Sequence, residues 1–286
     1  MDTTGPGSRA LVLGGGGIAG IGWEIGLLSG LAAAGVDVGA ADLVVGTSAG
    51  SVVGTLLRSG ADLQEAHAAQ LGPVPAGERA VPFDGGSFFT ALAEALAGAT
   101  GEQDARARVG ALALRAETMP ESERRAVIGA RIGSAGWPAA RLVVTAIDTA
   151  DGEFLAVDRD TGWPLLDAVA ASCAVPGVYP PITVGGRRFM DGGLRSPTNA
   201  DLAAGCDRVL VVAPMGGFPG SPLGPSLDDE LATLRRDGEV HLVLADEAAR
   251  AAFGTNPLDP ATRAPAARAG RAQAERVAEE VRAFWG

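Results

Sequence analysis

The chain has 286 residues and a formal net charge of −11, with 47% apolar and 20% charged residues. This composition is globular, and a chain of this length can bury a large core without disulfide or metal staples. All the side-chain positive charge at neutral pH is arginine. The acidic excess opposes binding to nucleic acid and anionic membranes, but leaves neutral or zwitterionic lipids open as partners.

Residues 1–9 are polar and lack a basic segment before an apolar one, so no signal peptide is expected and the cytoplasm is the default location. Residues 10–13 read as a buried strand that runs into Gly14-Gly15-Gly16-Gly17. Apolar residues at helical spacing follow over 20–34, and Gly35 stops that helix. The apolar run 25–36 is too short to span a bilayer and reads as a core helix. A second strand at 42–45 leads through Gly46 to Gly50 into a helix at 51–58. This strand–helix–strand–helix order predicts a mainly parallel sheet with helices on both faces. Residues 71–138 read as a helical insertion, placed as a cap over the site. Further strands are expected at 141–147, 208–213 and 241–245, a loop at 215–226, and a charged helical segment at 261–285 packed on the outside. The whole of 8–286 is read as one domain without internal repeats. Cys173 and Cys206 have no metal-ligand spacing and read as buried thiols. No metal or cofactor is called for.

Gly46-Thr47-Ser48-Ala49-Gly50 fits G-x-S-x-G. In that pattern a serine sits on a sharp strand-to-helix turn, with its hydroxyl above the sheet edge. Gly46 and Gly50 allow strand and helix to approach, and the Ala49 amide opens a helix where it can bind an oxyanion. In a chain with 42 glycines the string alone is low in information. The strand before it and the helix after it carry the reading. The plain alternative is a small-residue turn with Ser48 as a helix cap.

The loop from Gly15 to Gly20 also fits G-x-G-x-x-G, the dinucleotide fingerprint. A dinucleotide site would need an acidic residue closing the second strand. Asp37 and Asp42 precede that strand instead. The glycine loop and Ser48 are expected side by side at one sheet edge. The backbone amides of Gly15, Gly16 and Gly17, with Ala49, are therefore candidates for an oxyanion hole.

Ser48 needs a base, and two candidates arise. His241 would give a serine–aspartate–histidine order, but an α/β-hydrolase has several strands before its elbow and this chain has one. His67 sits in a polar helical stretch. The alternative is Asp191, which follows a stretch at 184–190 that reads as a hairpin and precedes Gly192 and Gly193, glycines that let the chain turn sharply. Asp84-Gly85-Gly86 repeats the string without a preceding strand.

Taken together, the 11–17 block, Gly46 to Gly50 and Asp191-Gly192-Gly193 resemble the three blocks of patatin-like phospholipases. The stretch 170–177, with Tyr179-Pro180-Pro181, is similar to the segment before the family's aspartate. The resemblance implies a three-layer α/β/α fold with a mainly parallel sheet and a metal-free Ser48–Asp191 dyad. It also implies an oxyanion loop spanning Gly15 to Gly20 and hydrolysis of acyl esters of lipids, with contact to a membrane or micelle surface. The family's loop usually carries Arg or Lys before its last glycine, where this chain has Ala19. Dinucleotide binding through Gly15–Gly20 and a His241-dependent esterase are the competing functions. Transfer of the acyl group to an alcohol is the variant chemistry of the same site.

Overall fold

The computed structural model describes residues 7–75, 77–81, 83–133, 136–217 and 220–286. Residues 1–6, and parts of the expected insertion and of the 215–226 loop, lie outside the described residues.

The chain opens with β1 (Arg9–Leu13), α1 (Gly17–Ala33), β2 (Leu43–Gly46) and α2 (Ala49–Arg58). Four helices follow: α3 (Leu63–Leu71), α4 (Gly85–Leu96), α5 (Glu102–Arg115) and α6 (Glu121–Ile132). The chain then returns to the sheet as β3 (Arg141–Asp148) and β4 (Phe154–Val157), followed by α7 (Leu165–Ser172) and the hairpin of β5 (Ile182–Val184) and β6 (Arg187–Asp191). It ends with β7 (Arg208–Ala213), α8 (Leu227–Leu234), β8 (Glu239–Leu244), α9 (Glu247–Phe253) and α10 (Arg263–Trp285).

The strands form one sheet in the order β5-β6-β3-β2-β1-β7-β8, with β4 also on β3. The run β3-β2-β1-β7-β8 is parallel, and β4, β5 and β6 join antiparallel. The central strands are apolar on both faces, as two-sided burial requires. Leu11, Leu13, Val44 and Val212 face α1, α2, α7, α9 and α10, while Ala10, Val12, Val45 and Val211 face α8 and the turn at 200–203. This is the expected α/β/α layering.

Strand register positions the site. Leu13 pairs with Gly46, so the glycine loop after β1 and the serine turn after β2 leave the same edge as neighbours. Asp191 pairs with Ala146, two residues beyond the Val144 that lies opposite Gly46. The antiparallel β6 thereby delivers its last residue to the edge where the parallel strands end.

The C-terminal segment is no loose appendage: α10 covers the buried helix α1 through small residues. A Cβ on Gly22, Gly26 or Gly30 would lie 2.7, 2.1 or 2.3 Å from the Arg263 carbonyl oxygen, the Ala267 carbonyl oxygen or the Ala274 Cβ. A Cβ on Gly270 would lie 2.1 Å from the Trp23 carbonyl oxygen. The arginines and glutamates of α10 disguise this face in the sequence. Nor is the insertion a single cap. Its last helix, α6, packs into the body of the protein, burying Ile128 and Ile132 in the main core. No described helix is long and apolar enough to cross a membrane.

Candidate active site

Ser48 joins β2 to α2 with φ 52° and ψ −112°, one of two described non-glycine residues at positive φ. Holding an L-residue there costs on the order of 1–3 kcal/mol, and neighbouring contacts must enforce it. The Ser48 amide donates to Ser172 Oγ at 2.9 Å, and its carbonyl accepts from Ser51 Oγ at 2.6 Å. The glycines on either side have no room for a side chain. A Cβ on Gly50 would lie 2.0 Å from the Leu13 carbonyl oxygen, and one on Gly46 would lie 2.6 Å from the Gly50 carbonyl oxygen. Helix α2 is thus pressed onto β1, and the Ser48 side chain is lifted over the sheet edge.

Asp191 is buried at 5% exposure. From the end of β6 the chain folds across β3, where a Cβ on Gly192 would come within 2.3 Å of Thr145 Oγ1, and Gly193 then reaches Thr47. Burial pushes the Asp191 carboxyl up to about 7. The Gly193 amide (2.8 Å), the Ser48 hydroxyl and the Arg124 guanidinium hold it from rising further. Ser48 and Asp191, far apart in sequence, are thus neighbours, close enough for the serine hydroxyl to hold the carboxyl's pKa down. A carboxylate with this pKa is a far better proton acceptor near neutrality than an ordinary aspartate.

The anion donors need one correction. The Gly15 amide donates to the Pro197 carbonyl at 2.7 Å, so it ties the glycine loop to the segment after Asp191 and is not free for an oxyanion. Among the described residues the amides of Gly16, Gly17 and Ala49 have no such partner. They sit at the N-terminal ends of α1 and α2, whose dipoles both favour negative charge there. Gly16 and Gly20 pack on Pro214, and the place of a Gly20 Cβ is 3.2 Å from the Ala49 Cβ. Gly17 has φ +64°, which suits glycine.

Several supporting residues escape sequence reasoning. Asn199, buried at φ 48°, donates from Nδ2 to Thr47 Oγ1 (3.1 Å) and to the carbonyls of Gly192 (3.2 Å) and Ser196 (2.8 Å). It thus joins the elbow to the aspartate turn. Thr145 donates to the same Thr47 hydroxyl at 3.1 Å. Beneath them Thr198 donates to the buried Glu230, whose carboxyl burial pushes up to about 7. Arg124 of α6 is 3% exposed and lies 3.5 Å from the Tyr179 ring centroid, with Nη2 donating to the Cys173 carbonyl at 3.0 Å. Among the described residues its Nε has no partner. Burial lowers its pKa. It shares with Gly17, Ser48, Ala49, Cys173 and Tyr179 a small hollow at the serine turn. A cation therefore stands at this crevice although the glycine loop has Ala19. No motif marks Arg124, whereas Ser172 lies in the quoted 170–177 stretch.

The other candidates lie elsewhere. His241 is on β8, three strands from β2, with Nδ1 3.8 Å from Glu280 and its ring stacked near Phe284. At ~5 Å between strands it is roughly 15 Å from the serine turn, so it does not serve as base. His67 lies on α3. Asp84 caps α4 by accepting from the Gly86 and Ser87 amides. Cys173 and Cys206 are buried free thiols. Among the described residues no His/Cys/Asp/Glu cluster is arranged to hold a metal. The space over the glycine loop belongs to the serine: the place of a Gly15 Cβ is 3.5 Å from the Ser48 Cβ.

Residues 11–204 match the family model described as patatin-like phospholipase. No curated protein matches the chain. Among solved structures it is similar to VipD from Legionella pneumophila, at 13% identity and TM-score 0.45, covering 97% of this chain and 68% of that one. It is also similar to the type III effector protein ExoU, at 17% identity and TM-score 0.38, covering 96% of this chain and 54% of that one.

Proposed function

The chain belongs to the patatin-like phospholipase family, and from that premise we propose that this lipid acyl hydrolase works through a covalent intermediate on Ser48 with Asp191 as the base. Asp191 takes the hydroxyl proton as Ser48 Oγ attacks the ester carbonyl. The carbonyl π electrons move onto oxygen, and the oxyanion is held by the amides of Gly16, Gly17 and Ala49. Collapse breaks the bond to the leaving alcohol, which takes the proton from Asp191. Water then gives a proton to Asp191 and attacks the acyl-enzyme. The second collapse releases the carboxylic acid and returns the proton to Ser48.

One observation carries the reading: Asp191, a buried carboxyl whose pKa the Ser48 hydroxyl helps to hold down, neighbours a serine held at φ 52° between a strand and a helix. Strain, base and helix-end amides converge on one hydroxyl, a costly arrangement for a simple turn. The substrates are carboxylic esters of lipids, whether phospholipid, lysophospholipid or neutral acyl ester, taken from a bilayer or micelle surface. Fatty-acid release from dispersed lysophospholipid and monoacylglycerol, followed by titration, tests this. The wild type should release acid from at least one, and Ser48→Ala should fall to the uncatalysed background. Undiminished release by Ser48→Ala would sink the proposal.

A further inference from the structure

The hollow beside Ser48 does not stand alone. It shares Ile18, Ile21 and Arg131 with a second, mainly apolar hollow that reaches Val52, Leu56 and Val127. Val52 and Leu56, at i and i+4, share one face of α2, and Ser48 stands just before the start of that helix. At 1.5 Å per residue, the eight residues from Ser48 to Leu56 span ~12 Å. Arg124, Val127 and Arg131, at i, i+3 and i+7, present a parallel stripe of α6. Ile18 and Ile21 supply a wall from α1.

The far end is polar. Arg263 donates to Gln70 Oε1 at 3.3 Å and to the carbonyls of Ala69 (2.9 Å) and Pro73 (3.2 Å). Arg131, shared by the two hollows, turns its Nε to Glu78 at 2.8 Å and so lies along the wall and not at the end. An alkyl chain entering from Ser48 therefore runs along mainly apolar side chains for roughly two turns of α2, past the Arg131–Glu78 pair, and meets the hydrogen-bonded Arg263 beyond.

We propose that this run between α1, α2 and α6 is the acyl-chain groove. It takes one alkyl chain of medium length, with the ester carbonyl at Ser48 and the methyl end near Leu56. The inference rests on the reading of Ser48 as nucleophile and adds to it a limit on chain length. Each methylene taken out of water inside the groove raises kcat/KM by up to about fourfold, and methylenes beyond Leu56 add nothing.

The test uses the full chain and the neutral p-nitrophenyl esters of butanoic, octanoic and dodecanoic acids. In the wild type the octanoyl ester should exceed the butanoyl ester in kcat/KM by at least about tenfold, and the dodecanoyl ester should gain no further. Leu56→Trp and Val127→Trp fill the groove from opposite walls at partly exposed positions. Each should cut the octanoyl-to-butanoyl ratio about tenfold or more, and reading a ratio cancels any loss of folded protein. A wild-type profile that is flat, or that still climbs through the dodecanoyl ester, overturns the groove. So does a ratio unchanged in both variants. Ser48→Ala separates the two failures. If it is inactive while the profile is flat, the groove alone is wrong; if it is as active as the wild type, the nucleophile reading falls and the groove with it.

Discussion

Replacing Asp191 with Asn should make the protein more stable while disabling it, and the gain should depend on pH. Burial lifts the carboxyl from 3.8 to about 7, against the pull of the Gly193 amide, the Ser48 hydroxyl and Arg124. The folded state therefore holds a proton across a window where the unfolded chain has lost it. Stability falls as pH rises through that window and is lowest above the folded pKa. A shift of about three units at 1.36 kcal/mol each puts the full cost on the order of 4 kcal/mol. Roughly 2–3 kcal/mol of that should develop between pH 5 and pH 8. Asn is nearly isosteric, stays neutral, and keeps an oxygen to accept from Gly193. Its advantage over the wild type should grow by about that amount between the two pH values. The raised Glu230 and Glu24 carboxyls titrate in both proteins and cancel in the difference. Urea unfolding of both proteins at pH 5 and pH 8 measures it. Ester hydrolysis by the wild type should rise with pH to a plateau with an apparent pKa about 7, and the variant should lose about 10²–10⁴ in rate. A stability difference that is independent of pH, or a variant less stable than the wild type at pH 8, would refute the reasoning.

Other consequences follow from the same contacts. Gly26→Ala should lower stability by about 1–3 kcal/mol despite alanine's better helix propensity, because its Cβ would lie 2.1 Å from the Ala267 carbonyl oxygen; a thermal melt reads this. Asn199→Ala removes three buried hydrogen bonds and leaves an alanine at φ 48°, so about 2–4 kcal/mol should be lost in urea unfolding, with a larger fall in kcat than in the folded fraction. Glu24→Gln should stabilise the protein at alkaline pH and change little at acidic pH. Burial raises the Glu24 carboxyl against the pull of the Gly14 backbone.

The parts of the fold that local pattern encodes were legible. The apolar runs at 10–13, 141–147 and 208–213 correspond to β1, β3 and β7 within a residue at either end. The Gly185-Gly186 turn, with both glycines at positive φ, joins the hairpin expected before Asp191. Strand order placed the Gly15–Gly20 loop and Ser48 at one sheet edge, whereas the pairing of Ser48 with Asp191 came only from the resemblance to the family. What stayed hidden depends on contacts between distant segments. The buried side of α10 is written in alanine and glycine, which carry little hydrophobic signal beside its arginines and glutamates. That the Gly15 amide is taken by Pro197 is a fact about a loop 182 residues away. Arg124 and Asn199 belong to no motif: an arginine on a charged helix reads as solvated, and only the fold shows it beneath Tyr179.

The most direct test of the Ser48–Asp191 account is mass spectrometry of the intact chain and its peptides after reaction with a fluorophosphonate. The account predicts one adduct, on Ser48, that is absent from Ser48→Ala and forms at least about a hundredfold more slowly in Asp191→Asn. An adduct on any other residue, or labelling of Asp191→Asn at the wild-type rate, would contradict it.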